Sequence, residues 1–497
     1  MRIAFTPRST WLPVVAGIAA VLAAPTGAAA AGFAQPVSAS GRDDAYDPQV
    51  AIAPNGRTAV LSKREVRRGR GWLTQYRAAI GPSPSELGPA KTVGAGWRAA
   101  ASDATAPMAE LLARPDGGFV ACFSDYSRHQ VAVEGCSIAQ PTGEFGALDI
   151  VRRIPQYGDH GMAATVLSDS SVVLLLTRTL SGADGPVVKT ASSFITLGAG
   201  GDLRREHPIN RTQLEQSYNT ATPIVATANG TIAIPAVAPL PGGRSGVRAA
   251  VRVKPPGADA FGRAIPVSDE PLKGSIWLGG RADLLVSFPT SPAEGGPSAQ
   301  RVVSLAPDGS PGPALTLPGS QPADYLGAPV SPVLELPGGE LFAITGHVET
   351  DPEDSDCYNP VVGTVAAGLF TQPGQPAATP APLSTKGQIA LGPQGAVLDD
   401  GTVIAAWVNG ANGYGQTRVE ARIRAPGASA FGPSQPLAPL SKGEYFTLAT
   451  GGDHAALAWE IGGYGDPSRI VISDLRQVPP YAEGARLPRH PATNCDE

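Results

Sequence analysis

The sequence predicts an all-β fold of repeated four-stranded units, on three observations. First, an apolar segment, a tight Gly/Asn/Asp turn and a second apolar segment recur along the chain. Examples are PQVAIAPNGRTAVLS (48–62), AELLARPDGGFVACFS (109–124), PIVATANGTIAIP (223–235), PVLELPGGELFAIT (332–345) and GAVLDDGTVIAAW (395–407). Each reads as a β-hairpin, because Asn-Gly, Asp-Gly and Gly-Gly supply the positive φ of short hairpin turns. Second, a strand, a Pro-Gly turn and Phe-Gly return almost unchanged in RVKPPGADAFGRAIPVS (252–268) and RIRAPGASAFGPSQPLA (422–438). Third, the copies keep a period. These two lie 170 residues apart, Gly88 and Gly432 344 apart, and Phe145 and Phe431 286 apart. The offsets are three, six and five units of about 57 residues. Radial repetition of four-stranded sheets at such a period is the signature of a β-propeller.

Counting along the chain gives eight units, starting near Tyr46, Trp97, Tyr157, Tyr218, Lys273, Asp324, Lys386 and Lys442. The count falls to seven if the divergent stretch 274–317 is not a unit of its own. The last unit, with YFTLATGG, HAALAWEI and RIVISDL, is one strand short. GFAQPVS (32–38) matches GPSQPLA (432–438) at an offset of 400 residues, seven units of about 57. An N-terminal strand is therefore expected to complete the last blade and pair an otherwise open sheet edge. A strand from the tail after Pro480 is the competing way to close the ring. A solenoid of the same units predicts capping ends instead.

The 497 residues carry a net charge of −5, 60 Gly, 50 Pro and 42% hydrophobic residues, enough for a large core. A mildly acidic chain without long Lys/Arg runs excludes nucleic acid as the expected partner. Arg2 and Arg8, the apolar run 11–24 and the small-residue stretch PTGAAAAG read as a signal peptide cleaved near Ala30 or Ala31. The expected organisation is a signal peptide (1–31), one propeller domain (32–480) and a C-terminal tail (481–497), secreted, extracellular, monomeric and without a membrane span. Four Cys fit an oxidising compartment. Cys122 and Cys136 flank one hairpin and are expected to pair, which leaves Cys357 with Cys495; buried free thiols are the alternative.

The pattern P-x-V-A…G-x-x-V-x-A-W…R-x-P-G-x-x-F-G-x-x-Q-x-L resembles the repeats of secreted bacterial β-propeller proteins loosely grouped with sialidase-like propellers. The resemblance covers nearly the whole mature chain and rests on turn and core residues, so it implies a fold and not an activity. The Ser-x-Asp-x-Gly-x-x-Trp turn of sialidase repeats is absent: the nearest stretch, SLAPDGSPG (304–312), does not match it.

Catalytic motifs are missing, with no G-x-S-x-G, H-E-x-x-H or phosphate-binding loop. No catalytic residue and no cofactor is assigned. The acidic run Asp351, Glu353, Asp354 and Asp356 offers hard oxygen ligands for Ca²⁺ but lacks the spacing that wraps a loop around the ion. Two Gly-Asp-His triplets, ending at His160 and His454, read as turn residues, since neighbours on an extended strand face opposite ways.

The aromatic residues are more informative. In a propeller with strands a to d from the axis outward, the d–a and b–c connections share one face. Tyr46, Trp97, Tyr157, Tyr218, Trp277, Tyr325 and Tyr445 map to d–a positions, and Trp72, Tyr126, Tyr358, Tyr414 and Tyr464 to b–c positions. Acids such as Asp159 accompany them, whereas Tyr76 and Tyr481 fall outside the scheme. Flat rings with a polar tip suit stacking on sugars or gripping a peptide. The competing role, at the start of strand a, is a wedge between blades. The expected ligand-binding set is Tyr46, Trp72, Trp97, Tyr126, Tyr157, Asp159, Tyr218, Tyr325, Tyr414, Tyr445 and Tyr464. The function this predicts is recognition of an extracellular polymer or protein, a glycan among them. The alternatives are a glycoside hydrolase or lyase using paired acids on the same face, and an envelope structural protein with no small ligand.

Overall fold

In the computed structural model, the described residues are 31–41, 44–68, 71–98, 108–126, 132–154, 160–180, 189–213, 224–273, 276–280, 283–290, 299–306, 308–317, 333–349, 362–370, 381–384, 389–410, 417–441, 446–463 and 466–476. They form an all-β propeller. Seven blades are four-stranded antiparallel sheets of consecutive strands, spanning 46–98, 108–154, 160–213, 225–266, 277–317, 333–382 and 389–441. The divergent stretch 274–317 thus makes a blade. The last sequence unit does not make such a blade alone. Its three strands, Phe446–Gly451, His454–Gly463 and Asp466–Arg476, are completed by Gly32–Phe33 and Val37–Ser38. The propeller thus has seven such blades, the lower of the two counts the sequence allows; the count of eight is corrected, because the last unit lacks a fourth strand of its own and enters only the composite closing sheet.

Closure uses the N-terminal strand, as the sequence match predicts. Gly32 and Phe33 pair with Arg476 and Leu475, and Val37 and Ser38 with Ile472 and Val471. The Phe33 N–H donates to Gln435 Oε1 (3.1 Å), and Gln435 Nε2 donates to the Ala31 carbonyl (3.3 Å). Gln435 belongs to the repeated sequence RIRAPGASAFGPSQPLA (422–438), so that motif also anchors the closing strand.

Each blade is packed on both faces by its neighbours, which explains why strand b is continuously apolar instead of alternating. Every residue of Leu284–Thr290 is buried, as are 403–408. Apolar seams follow one another around the ring. They end on Val50, Ile52 and Val60 packed against Ala456, Ala458, Ile470 and Ile472, where the first blade meets the closing sheet.

The repeated Phe-Gly has two jobs. The Gly N–H returns to a strand-c carbonyl: Gly262 to Val253 (2.9 Å) and Gly432 to Ile423 (2.8 Å). A Cβ on Gly432 would stand 3.3 Å from that carbonyl, closer than a side chain comfortably allows. The Phe wedges backward into the preceding blade, Phe431 against Phe342 (5.5 Å) and Phe261 edge-on to Phe194 (5.3 Å). Leu87 takes this place in the closing seam.

The a–b turns are type I turns followed by a residue at positive φ, here Gly56 (82°), Gly117 (90°), Gly230 (84°) and Gly401 (88°), with Ser170 (64°) in the third blade. The preceding Asx is not at positive φ. Its carboxyl or amide oxygen accepts the N–H two residues on, as Asp116 does from Gly118 (2.9 Å) and Asp400 from Thr402 (2.7 Å). At Gly56 an added Cβ would meet His454 Nε2 at 2.7 Å. This places His454 as a packing residue at a turn. Gly56→Ala is expected to cost about 2 kcal/mol from φ strain and displacement of the imidazole, measured by urea unfolding.

Strands a form the inner ring and bond directly to one another through one repeated side chain. Gln49 Nε2 donates to the Ala109 carbonyl while its Oε1 accepts the Leu111 N–H (2.7 Å). Gln394 does the same with the Phe446 carbonyl and the Leu448 N–H, both at 2.8 Å. At the matching place in the second blade, Glu110 accepts the Ala164 N–H. Thr447 reaches the Pro48 carbonyl at 3.4 Å.

Candidate functional site

Four of the expected ligand residues stand at strand ends on the b–c/d–a face. Tyr46 opens Tyr46–Ile52, Trp72 is the second residue of Gly71–Gly81, Tyr126 ends Phe119–Tyr126, and Trp97 is next to last in Lys91–Arg98. They are therefore strand termini and not loop residues. Tyr46 is half-buried. Trp277 folds over Gly279 and packs on the seam between the fifth and sixth blades, which is the wedge role. Tyr76 is fully buried and stacks on Phe123 at 4.5 Å, which explains why it fits neither loop set. Tyr157, Asp159, Tyr218, Tyr325, Tyr414, Tyr445 and Tyr464 lie outside the described residues, as do Cys357, Cys495 and the acids Asp351, Glu353, Asp354 and Asp356. Cys122 and Cys136 face each other in register and form a disulfide.

Two features of this face meet in the first blade. The first is a polar cluster at the closing seam. Asp47 adopts φ 55°, a left-handed conformation costly for a non-Gly residue, with Lys63 ion-paired to its carboxylate. The Asp47 N–H donates to the Glu460 carboxyl, which also takes a bond from the Ser468 hydroxyl. Asp44 Oδ1 accepts the Ser468 N–H at 2.8 Å. Burial pushes the Glu460 carboxyl above its ordinary pKa, and the charges of Asp47 and Asp44 push the same way against the two hydrogen bonds. A carboxyl with a raised pKa beside an ion-paired carboxylate gives this seam two acids of different character. Among the described residues no group of three His, Cys, Asp or Glu side chains could hold a metal.

The second feature is the central hairpin of that blade. Its strands, Thr58–Arg68 and Gly71–Gly81, are 11 residues each, and exposure rises along Thr58–Arg68 until Arg67 and Arg68 are exposed. Trp72 keeps 40% of its surface exposed. In the sheet register it stands between Arg67 on one strand and Arg98 on the other. The sequence signal was KREVRRGRGW (63–72), which short run length and an acidic total charge obscured.

No protein-family model matches the chain, and no curated protein matches it. Solved structures with similar architecture include a polysaccharide lyase, an ulvan lyase bound to -[GlcA(1-4)Rha3S]- (8% identity, covering 88% of this chain and 95% of that one, TM-score 0.47). The β-propeller domain of the Trilobed protease from Pyrococcus furiosus, with an open velcro topology, is 8% identical over 84% of this chain and 98% of its own (TM-score 0.41). The NanB sialidase from Streptococcus pneumoniae is 7% identical over 76% of this chain and 90% of its own (TM-score 0.38). The resemblance to sialidase-like and other propellers is thus one of architecture at low identity. No helix among the described residues is long and apolar enough to cross a membrane.

Proposed function

We propose that the chain is a secreted, monomeric recognition propeller that binds an extracellular polymer, a glycan first, through its b–c/d–a face. The observation that carries this is Trp72: a large indole with 40% exposure near the end of a hairpin of two 11-residue strands, outside the apolar seams of the described residues. Leaving so much aromatic surface in water forgoes burial energy at about 25 cal/mol per Å², and stacking on a sugar ring recovers it. Half-buried Tyr46 opens strand a of the same blade on this face, and the binding set expected from the sequence is proposed to act with it. The N-terminal signal and the Cys122–Cys136 disulfide support export to an oxidising compartment. The mature protein is to be screened on a glycan array. Trp72→Ala is expected to weaken the leading hit about tenfold or more with an unchanged melting temperature. Full binding by Trp72→Ala would sink the assignment.

A second reading, glycoside hydrolysis or lysis, is favoured by the Glu460–Asp47 pairing at the seam. It requires wild-type protein to release reducing ends from a bound glycan, and Glu460→Gln to abolish that release while binding persists.

A further inference from the structure

We infer that the tip of the Thr58–Arg68/Gly71–Gly81 hairpin is a subsite for an anionic polysaccharide, a conclusion that rests on glycan recognition by this face. Between 63 and 72 the chain has five basic residues and one acid, although the whole protein carries −5. Part of this positive charge is already engaged: Lys63 is ion-paired with Asp47, and Arg64 and Glu65 have partners within the protein. Arg67 and Arg68, both exposed, have no hydrogen bond or ion pair with any side chain among the described residues. Two exposed guanidinium groups without a side-chain partner among the described residues are placed for anions in solution, and their planar forks suit carboxylates and sulfates.

The order along the register adds a second chemistry. Arg67, Trp72 and Arg98 lie side by side on three adjacent strands, a row about 10 Å across at the usual strand spacing. An exposed guanidinium-bearing residue directly opposite an exposed indole suits a polymer in which charged groups alternate with apolar ring faces. A uronate or sulfated glycan has that alternation. Duplex DNA presents a charge about every 1.7 Å along its axis and is held by a broad basic surface, whereas here the basic residues gather on one hairpin of an acidic chain.

The test measures binding of the full chain to polygalacturonate, chondroitin sulfate, neutral dextran and duplex DNA at two salt concentrations. The expected result is binding to the two acidic glycans, weakened by salt, with little binding to dextran. Arg67→Ala/Arg68→Ala and Trp72→Ala should each reduce that affinity about tenfold, with melting temperatures unchanged because all three side chains are exposed. Binding to dextran alone, or acidic-glycan binding that ignores the arginine substitutions, overturns this inference and leaves glycan recognition standing. DNA bound more tightly than either glycan overturns it in favour of nucleic acid. Failure to bind any polysaccharide here or on the array removes both conclusions.

Discussion

Phe33→Ala is expected to destabilise the protein by about 3–5 kcal/mol, the range for removing a fully buried Phe from a packed core. The Phe33 side chain is 0% exposed and lies in the seam between the seventh blade and the closing sheet, against Ile404, Leu437, Leu457 and Trp459. Its two-residue strand has few ladder bonds of its own, with Ala34 N–H to the Asp474 carbonyl (2.9 Å) continuing the pairing. The ring side chain is therefore what secures the strand. Once it is lost, the Leu475–Arg476 end of Asp466–Arg476 presents an unpaired edge, so the variant should also self-associate. Urea unfolding and analytical ultracentrifugation read the two effects. A loss below about 1 kcal/mol without association would mean that the N-terminal strand decorates the ring without closing it.

The second large effect concerns pH. Burial drives the Glu110 carboxyl from its ordinary 4.5 to about 8, against the lowering effect of the Ala164 N–H it accepts. The folded chain thus holds a proton on Glu110 across a window in which the unfolded chain has released it. Stability from this group is complete below about pH 4.5 and is lost as pH rises toward about 8. Glu110 keeps partial surface exposure, so a loss of roughly 2–3 kcal/mol is the scale expected, below the full shift. The structural sense of this is plain beside Gln49 and Gln394, which occupy the same place in their blades and both donate to and accept from the next strand. A carboxylate can only accept, whereas a carboxylic acid imitates glutamine. Glu110→Gln should therefore flatten most of the fall in unfolding free energy between pH 5 and 8.5, and stabilise the protein at the alkaline end. The remaining slope belongs to Glu460, whose pKa is also raised. A variant with the wild-type pH profile would contradict the role given to Glu110.

The fold was legible because propeller repeats write their geometry into turns. Pro-Gly and Phe-Gly mark where strand c gives way to strand d, and the Gly records a close approach to a backbone carbonyl, 3.3 Å from the place of a Cβ at Gly432. The Gln49, Glu110 and Gln394 clasp was not legible. These residues are ordinary polar positions until strands a of adjacent blades are set side by side. The Asx turns were found for a partly wrong reason: Gly supplies the positive φ, while Asp116 and Asp400 supply a hydrogen bond. Of the candidate site, the strand order alone was enough to place Trp72 at a b–c end and Tyr46 at a d–a end of their strands. The sequence reading missed Asp47 and Lys63, which meet across the first hairpin, and Glu460, which is distant in sequence and reaches Asp47 only because the ring closes there. It also missed the arginines beside Trp72, since a net charge averages a local patch away.

The central claim, that recognition belongs to the b–c/d–a face, is tested most directly by amide hydrogen exchange of the full chain with and without polygalacturonate. The account predicts slowed exchange in 64–75 and at the neighbouring strand ends around Tyr46, Trp97 and Tyr126, with the a–b turns at 53–57, 114–118 and 398–402 unchanged. Protection confined to those a–b turns would contradict it.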